Sequence, residues 1–417
     1  MRILVHDFAG HPPQVYLSRA LARRGHDVLH LYADDLETPR GRLEIVPSDP
    51  PTFAVKPVGF NSPYRKHNYF VRQVQEWGYG GNLLQEMRRF APDIVICSNT
   101  PLVPLWRLQT GCRRDRVPFL FWLMDVYSVA VSSVLRRKMP GLGRLISAFY
   151  GWLEGYELRR SDYVVLISEG FEDIVRRWGV PASRMATLPL WSALSDINVG
   201  EKANAWSKGQ RLAETTNLIY SGTLGYKHNP ELLVALAERM ADRSNVRVVV
   251  ISEGPGADYI RDEKAARGLR NLVLLPFQRY EDLPLVLASS DVMLALLEPD
   301  AGTFSVPGKV LTHLCAGRPQ VAAVPAENRA NRIIRESGGG LTCTPGDEAG
   351  FVAAVQALVD DPKRRGDMGR RARQYAEREF DIDRLAGAFE TCIGAAKPLS
   401  QPAGRSPRAA GMTEREA

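Results

Sequence analysis

The segment FSVPGKVLTHLCAGRPQVAAV, residues 304–324, follows the apolar run DVMLALL and holds a single charge in its opening turn, Lys309. Ser305 and Val306 offer backbone N–H groups there, while Pro307 and Gly308 shape the loop that opens a short helix pattern. Exposed N–H groups at a helix start, next to a lysine, favour an anion. A lysine fixed in this way can neutralise a departing diphosphate. A similar arrangement recurs at SGTLGYKHNPELL, residues 221–233, where a strand pattern ends at Gly222, Thr223 and Gly225 and is followed by Lys227. Its plain alternative is a strand-to-helix loop with a solvated lysine. Neither segment has the spacing of GxxxxGK[ST] or GxGxxG, which removes the best support for an NTPase or a dinucleotide enzyme.

Two further strand ends join this group. ISEGPG, residues 251–256, places Glu253 beside glycines, and LLPFQRYEDLP, residues 274–284, places Phe277 where backbone and ring can clamp a flat base. Each of these, taken alone, is also a plain turn. In the first half, the loop DFAGHPP puts Gly10 where backbone can approach a ligand and His11 at a helix entrance. Asp125, in FWLMDVYS, is a carboxylate at the carboxyl end of a strongly apolar strand. The paired acids Asp34 and Asp35 lack the Asp-x-Asp spacing that holds a divalent ion against a diphosphate, and read as a solvated strand end. The seven histidines and five cysteines show no ligand spacing and no CxxC. The cysteines are expected to be free buried thiols, and no metal and no cofactor are expected.

These loops need elements to hold them, and the chain supplies an alternation of apolar strands with amphipathic helices. Strand runs are RILVH, DVLHLYA, DIVIC, FLFWLM, YVVLIS and a short one near MATLPL. They resume after a polar stretch at 192–216 with NLIYSG, VRVVVIS, NLVLLP, DVMLALL and QVAAV. Residues 36–70 are polar and Pro-rich and yield no assignment, and a helix is expected over about 78–90. Continuous apolar strands alternating with helices predict parallel sheets covered on both faces. The expected fold is therefore α/β, with two Rossmann-like doubly wound domains facing a cleft. The expected divisions are 1–200, 201–380, a terminal helix at 381–396 and a disordered tail at 397–417. Ligands of such sheets bind beyond the carboxyl ends of the strands.

The chain has 417 residues, 45% hydrophobic and 24% charged, with a formal net charge of +7. That is ordinary globular composition, long enough for two cores. No apolar run reaches the roughly 18 residues of a membrane span, and the N-terminus lacks the apolar core of a secretory signal, so a cytoplasmic protein is expected. Residues 132–163 hold a local cluster of basic residues. There Arg136, Arg137, Lys138, Arg144, Arg159 and Arg160 alternate with Leu142, Leu145, Ile146, Phe149, Tyr150 and Trp152. This pattern suits an anionic membrane surface, or else a solvated face whose apolar residues are core. Nucleic acid is not expected, because exposed aromatics on strands are not interleaved with the basic residues.

In order and spacing, RILVHDF, LSRALARRGHDV, FWLMDVYS, SDYVVLISEGF, YSGTLGYKHNPELL, PFQRYEDLPLVLASSDVML and SVPGKVLTHLCAGRPQVAAV resemble a retaining glycosyltransferase of the B-type fold (GT-B). The similarity is to the bacterial branch that assembles O-antigen, capsule and colanic-acid-like polysaccharides, and it covers the chain to about residue 395. The resemblance implies a nucleotide-sugar donor, more often UDP-linked, held by the C-terminal domain at Gly222, Thr223, Lys227, Glu253, Phe277, Ser305, Val306, Lys309 and Thr312. It implies a lipid-linked or glycan acceptor on the N-terminal domain near Gly10, with His11 and Asp125 at the reacting sugar. It also implies metal-independent retention and a last helix that crosses back onto the first domain. Many relatives carry two glutamates eight residues apart around the donor sugar, and those positions are Phe304 and Thr312 here. An arginine common in the first glycine loop falls on Thr223. A nucleotide-sugar epimerase and a catalytically silent sugar-nucleotide-binding module are the competing readings.

Overall fold

The computed structural model describes residues 1–34, 36, 40–65, 68–129, 141–225, 228–299 and 306–398. The expectations placed on Asp35, Arg136, Arg137, Lys138, Lys227, Phe304, Ser305 and the tail from 399 lie outside these residues.

Two all-parallel sheets carry the fold. The first runs β3-β2-β1-β4-β5-β6-β7, with β1 (Arg2–Asp7), β2 (Asp27–Ala33), β3 (Phe53–Val58), β4 (Ile94–Ser98), β5 (Phe119–Leu123), β6 (Tyr163–Leu166) and β7 (Met185–Thr187). The second runs β10-β9-β8-β11-β12-β13, with β8 (Thr216–Ser221), β9 (Val246–Ile251), β10 (Leu272–Leu275), β11 (Val292–Leu296), β12 (Gln320–Ala323) and β13 (Gly340–Cys343). The central strands β4, β5 and β11 are buried at every residue, as strands covered by helices on both faces must be. The strand order reverses between β1 and β4 in one sheet and between β8 and β11 in the other, which opens a crevice at each reversal. The two-domain α/β expectation holds.

The sequence leaves two strands unassigned, and both lie at sheet edges. β3 buries only its end residues Phe53 and Val58 and tolerates Pro57, because an edge strand need not donate on its open side. β13 is only half-buried and begins at Gly340, where an added Cβ would lie 2.3 Å from the Gln320 carbonyl oxygen. The loop before β3 is tied down by buried Arg19, which donates to Asp49 at 2.8 Å and to the Arg42 and Glu44 carbonyls.

The helix expected from about residue 78 begins instead at Tyr69 and runs to Phe90, capped by the Asn68 side chain accepting from the Val71 N–H at 3.2 Å. Gly78, Gly80 and Gly81 interrupt its apolar pattern. At Gly80 an added Cβ would lie 3.0 Å from Pro104 Cα, so the glycine lets the Leu102–Asp115 helix approach closely. The polar stretch at 192–216 also holds a short helix, Ala205–Gly209, with Asn204 and Ser207 forming a reciprocal cap and Trp206 buried.

The helix Ile382–Ala395 follows the second domain and packs on the first. Its Phe389 ring lies 4.8 Å from Trp122 of β5, and Glu390 accepts from Arg24 at 2.7 Å and pairs with His26 at 2.9 Å. Arg373 donates to the carbonyls of Ile197 and Cys315, both at 2.7 Å, fastening the connection between domains to the second one. A further contact joins the domains where Arg332, in the helix Arg329–Ser337, reaches Glu169, just after β6, at 2.7 Å. All five cysteines are free, and four of them are buried.

Candidate functional site

In the first domain three adjacent strands end together. β1 ends at Asp7, which is in register with Ser98 of β4, and Ser98 is in register with Trp122 of β5. Asp7, Asn99 and Asp125 therefore gather at one edge, beside the reversal of strand order. The Asp7 side chain is wholly buried. It accepts from the His11 backbone N–H and from Asn99 Nδ2 at 3.0 Å, and it lies 3.3 Å from His11 Nδ1. Gly10 makes the turn possible with φ +73°, and its N–H donates to the Asp7 carbonyl at 3.3 Å. The His11 side chain stays 40% exposed with Nδ1 held on this inner side.

Burial disfavours the charged imidazole of His11. The Asp7 carboxylate, the hydrogen bond to it and the charge of Asp125 outweigh that cost, so His11 titrates above the ordinary histidine range. Burial likewise works against the Asp7 carboxylate, and His11 and its hydrogen bonds outweigh it, holding Asp7 below the usual carboxylate range. Beneath this pair, buried His6 bonds Thr100 Oγ1 at 2.8 Å and the Tyr79 hydroxyl at 2.9 Å. Desolvation lowers its pKa to about 3, so it braces the strand end as a neutral ring.

Asp125 itself is exposed. The backbone after it is clamped by Glu154, whose buried carboxylate accepts from the N–H groups of Tyr127 at 2.8 Å and Ser128 at 2.9 Å. Burial pushes the Glu154 carboxyl up to about 7 despite those bonds.

In the second domain the corresponding crevice lies between β8 and β11. The helix Gly308–Cys315 buries Val310, Leu311, His313, Leu314 and Cys315 and turns Lys309 and Thr312 away from that core. Its first turn follows Pro307, which has no side chain able to cap it. Lys309 is half-buried as a residue, but its Nζ is shielded from solvent and has no hydrogen-bond partner among the described residues. The ammonium sits 3.7 Å from the centroid of the Tyr220 ring. It also abuts Gly222 closely enough that an added Cβ there would lie 3.3 Å from Nζ. Desolvation lowers the Lys309 pKa to about 7. A shielded amine with no hydrogen-bond partner among the described residues is a costly arrangement, and a bound anion would relieve it.

The rest of the loop is fixed locally. Gly222 has φ +128° and donates to the Ile251 carbonyl at 3.0 Å, and the Tyr220 hydroxyl donates to the Thr223 carbonyl at 2.9 Å. Glu253 accepts from the Phe277 N–H at 3.0 Å, so these two residues belong to one structure. The Phe277 ring remains 40% exposed.

The structure thus brings Gly222 and Lys309 together, pairs Glu253 with Phe277, and places Gly10, His11 and Asp125 at the opposite sheet's strand ends. Thr312 is engaged elsewhere, with its hydroxyl 3.1 Å from Ser192 Oγ and 3.3 Å from the Gly308 carbonyl. Val306 is half-buried beside the helix start. Sequence reasoning missed Asp7, Asn99 and Tyr220. Tyr220 lies inside a strand pattern and reads as an ordinary strand residue, and Asp7 reads as the first residue of the loop DFAGHPP although β1 extends to include it, while Asn99 carries a positive φ of 46° that only its loop position after DIVIC could have suggested.

Residues 14–191 match the Glycosyl transferase 4-like domain model, and residues 215–361 match the Glycosyl transferases group 1 model. The chain is 26% identical over 319 residues to the protein designated colanic acid biosynthesis glycosyl transferase WcaI of Escherichia coli K12, covering 73% of this chain and 75% of that protein. Among solved structures, Anabaena HepE in complex with UDP-glucose superposes with TM-score 0.68 at 14% identity, covering 94% and 99% of the two chains. WaaG, a glycosyltransferase involved in lipopolysaccharide biosynthesis, superposes with TM-score 0.64 at 15% identity, also covering 94% and 99%. With one glycosyltransferase domain matched on each sheet and the strand-end crevices where such domains bind their ligands, the chain belongs to the GT-B glycosyltransferase superfamily.

Proposed function

We propose that the protein transfers a sugar from a UDP-linked donor, with retention and without a metal, to a lipid-linked glycan during cell-surface polysaccharide assembly. The observation that carries this reading is Lys309, a solvent-shielded amine without a hydrogen-bond partner among the described residues, held between the Gly222 loop and the uncapped start of the Gly308–Cys315 helix. A diphosphate fits that position chemically, because it supplies the negative charge the amine lacks and meets the free N–H groups of the helix start. Val306, half-buried beside the helix start, adjoins this position, and the sequence reading assigns Ser305 and Lys227 to the same donor. Phe277, with its backbone fixed by Glu253, offers a flat face to the base.

Across the cleft, His11 orients the acceptor hydroxyl or the reacting sugar, and Asp125 sets charge beside it. No protein nucleophile is assigned. The UDP donor draws support from HepE, solved with UDP-glucose, and the polysaccharide setting from the names of WcaI and WaaG. The acceptor side and the inner face of the cytoplasmic membrane as working location rest on the resemblance and on the basic, aromatic stretch at 132–163.

A thermal-shift panel of UDP-, GDP-, dTDP- and ADP-sugars tests the donor. At a ligand concentration of 100 times Kd, binding to the native state adds about 2.7 kcal/mol of stability. A shift specific to UDP and UDP-sugars is expected, and a panel with no shift overturns the reading. A catalytically silent sugar-nucleotide-binding module is the second reading, favoured by Thr312, which occupies a glutamate position and is tied to Ser192. Release of free UDP only when an acceptor extract is added separates the two.

Activity is also expected to survive EDTA. Among the described residues no three His, Cys, Asp or Glu side chains are grouped to hold a metal. Loss of turnover in EDTA, restored by manganese, would overturn this expectation.

A further inference from the structure

Six of the eleven exposed large hydrophobic side chains among the described residues lie on two helices of the first domain. Tyr69–Phe90 exposes Phe70 at 81%, Val74 at 72% and Trp77 at 48%; Leu142–Arg160 exposes Leu145 at 71%, Phe149 at 51% and Trp152 at 58%. Both sets have the spacing i, i+4, i+7, so each forms one stripe along its helix. A helix of a soluble domain ordinarily turns such a stripe inward. Here the stripes face outward, which removes the alternative that these residues of the basic segment are core.

Aromatic contacts join the two stripes. Trp77 lies 5.7 Å from Trp106, which packs on the Leu102, Tyr150 and Leu153 cluster, and Tyr150 lies 5.7 Å from Phe149. Arg72 of the first helix donates to the Tyr127 hydroxyl at 3.3 Å, and Tyr127 lies 5.8 Å from Tyr150.

The charge around this face has one sign where it matters. The acids of the Leu142–Arg160 helix, Glu154 and Glu157, are fully buried, whereas Arg144 and Arg159 are exposed. On the other helix Glu76, beside the stripe, is 3% exposed. The Arg107 guanidinium stacks 4.8 Å over Trp77. No helix of the described residues is long and apolar enough to cross a membrane.

We propose that this two-helix face docks on an anionic phospholipid bilayer, with its Phe, Trp and Leu side chains entering the interfacial layer and its arginines held at the headgroups. Tryptophan and phenylalanine flanked by arginine are the composition of surface-lying helices at membrane interfaces. The lipid-linked acceptor in the reading above gives this docking a purpose, but the docking stands on the exposed stripes alone.

Co-sedimentation of the full chain with phosphatidylglycerol/phosphatidylcholine vesicles tests it. The wild type is expected to bind these vesicles and to keep part of that binding in 1 M salt, because apolar insertion is not screened. Leu145→Ser/Phe149→Ser/Trp152→Ser and, separately, Phe70→Ser/Val74→Ser are each expected to weaken binding at least tenfold, with melting temperature and UDP-induced shift unchanged. Wild-type protein that ignores the vesicles at low salt overturns the proposal. So do variants that bind as well as the wild type. A concentration-dependent dimer that the triple variant abolishes, without vesicle binding, assigns the face to a second copy of the chain and also overturns it. Failure of UDP binding with vesicle binding intact would overturn the proposed function and leave the docking standing.

Discussion

Lys309→Ala is expected to lower turnover about a hundredfold to a thousandfold, with the fold intact by circular dichroism. The Nζ is already stripped of water, stacked on Tyr220 and pressed against Gly222, so no solvent competes with an incoming anion. A preorganised charge aimed at a departing group in such a site typically contributes about 2.7–4 kcal/mol to the transition state. The loss should fall on kcat and on UDP affinity together, because the diphosphate is present in both donor and product.

A pH signature accompanies it. In the free protein Lys309 titrates at about 7, and pairing with a diphosphate raises that value again. Binding above pH 7 therefore takes up a proton. UDP affinity should weaken as pH rises, by at most about tenfold per pH unit, and the Lys309→Ala variant should lose this dependence. Near-wild-type kinetics with an unchanged pH profile would remove Lys309 from the site. Stability of the free wild type has the opposite slope. The unfolded lysine keeps its proton up to about pH 10.5 while the folded one loses it near 7, so stability rises with pH across that interval.

His11→Ala is expected to reduce kcat/KM about a hundredfold, the lower end of what a positioned acid, base or orienting imidazole contributes. Asp7→Asn separates positioning from mere structure. The asparagine keeps the shape but removes the charge that holds the imidazole pKa up. Burial, which opposes the charged ring, then faces only the charge of Asp125 among these causes, so the kinetic limb that reports His11 should move to lower pH while KM for the donor stays within a few-fold. An activity loss in Asp7→Asn with an unmoved limb would mean that Asp7 only braces the loop. Stability supplies a check through the same pair. His11, with its folded pKa raised, contributes stability fully below about pH 6.5 and loses it as pH rises through the folded value. Asp7, with its folded pKa lowered, contributes above the ordinary carboxylate value and loses it as pH falls. In Asp7→Asn the Asp7 contribution should vanish and that of His11 should shrink.

Much of the fold is legible in the residues because parallel strands covered on both faces must be apolar along their whole length. IVICS and VMLAL are buried at every position, and the sequence shows them as unbroken apolar runs. β3 and β13 escape that logic. An edge strand is half-open, so FAVKPV can mix lysine and proline with valine, and GLTC carries no periodic signal. The helix that begins at Tyr69 is obscured for a different reason. Its glycines answer to the close approach of another helix, and its apolar stripe of Phe70, Val74 and Trp77 faces outward.

The strand-end loops with glycine, lysine and histidine were determined by the sequence alone, because strand ends, glycines and helix starts are local features. The chain could not by itself announce that Asp7 and Asn99, 92 residues apart, share one hydrogen bond, since that depends on β1 and β4 lying side by side in register. Nor could it say that Lys309 would lose its water against Tyr220 and Gly222, or that Leu145, Phe149 and Trp152 would face solvent while Glu154 and Glu157 went inside. A helical stripe reads the same whether it points in or out. Only packing of the neighbouring helices against the sheet decides which face is left bare, and with it the charge and solvation of every group at the site.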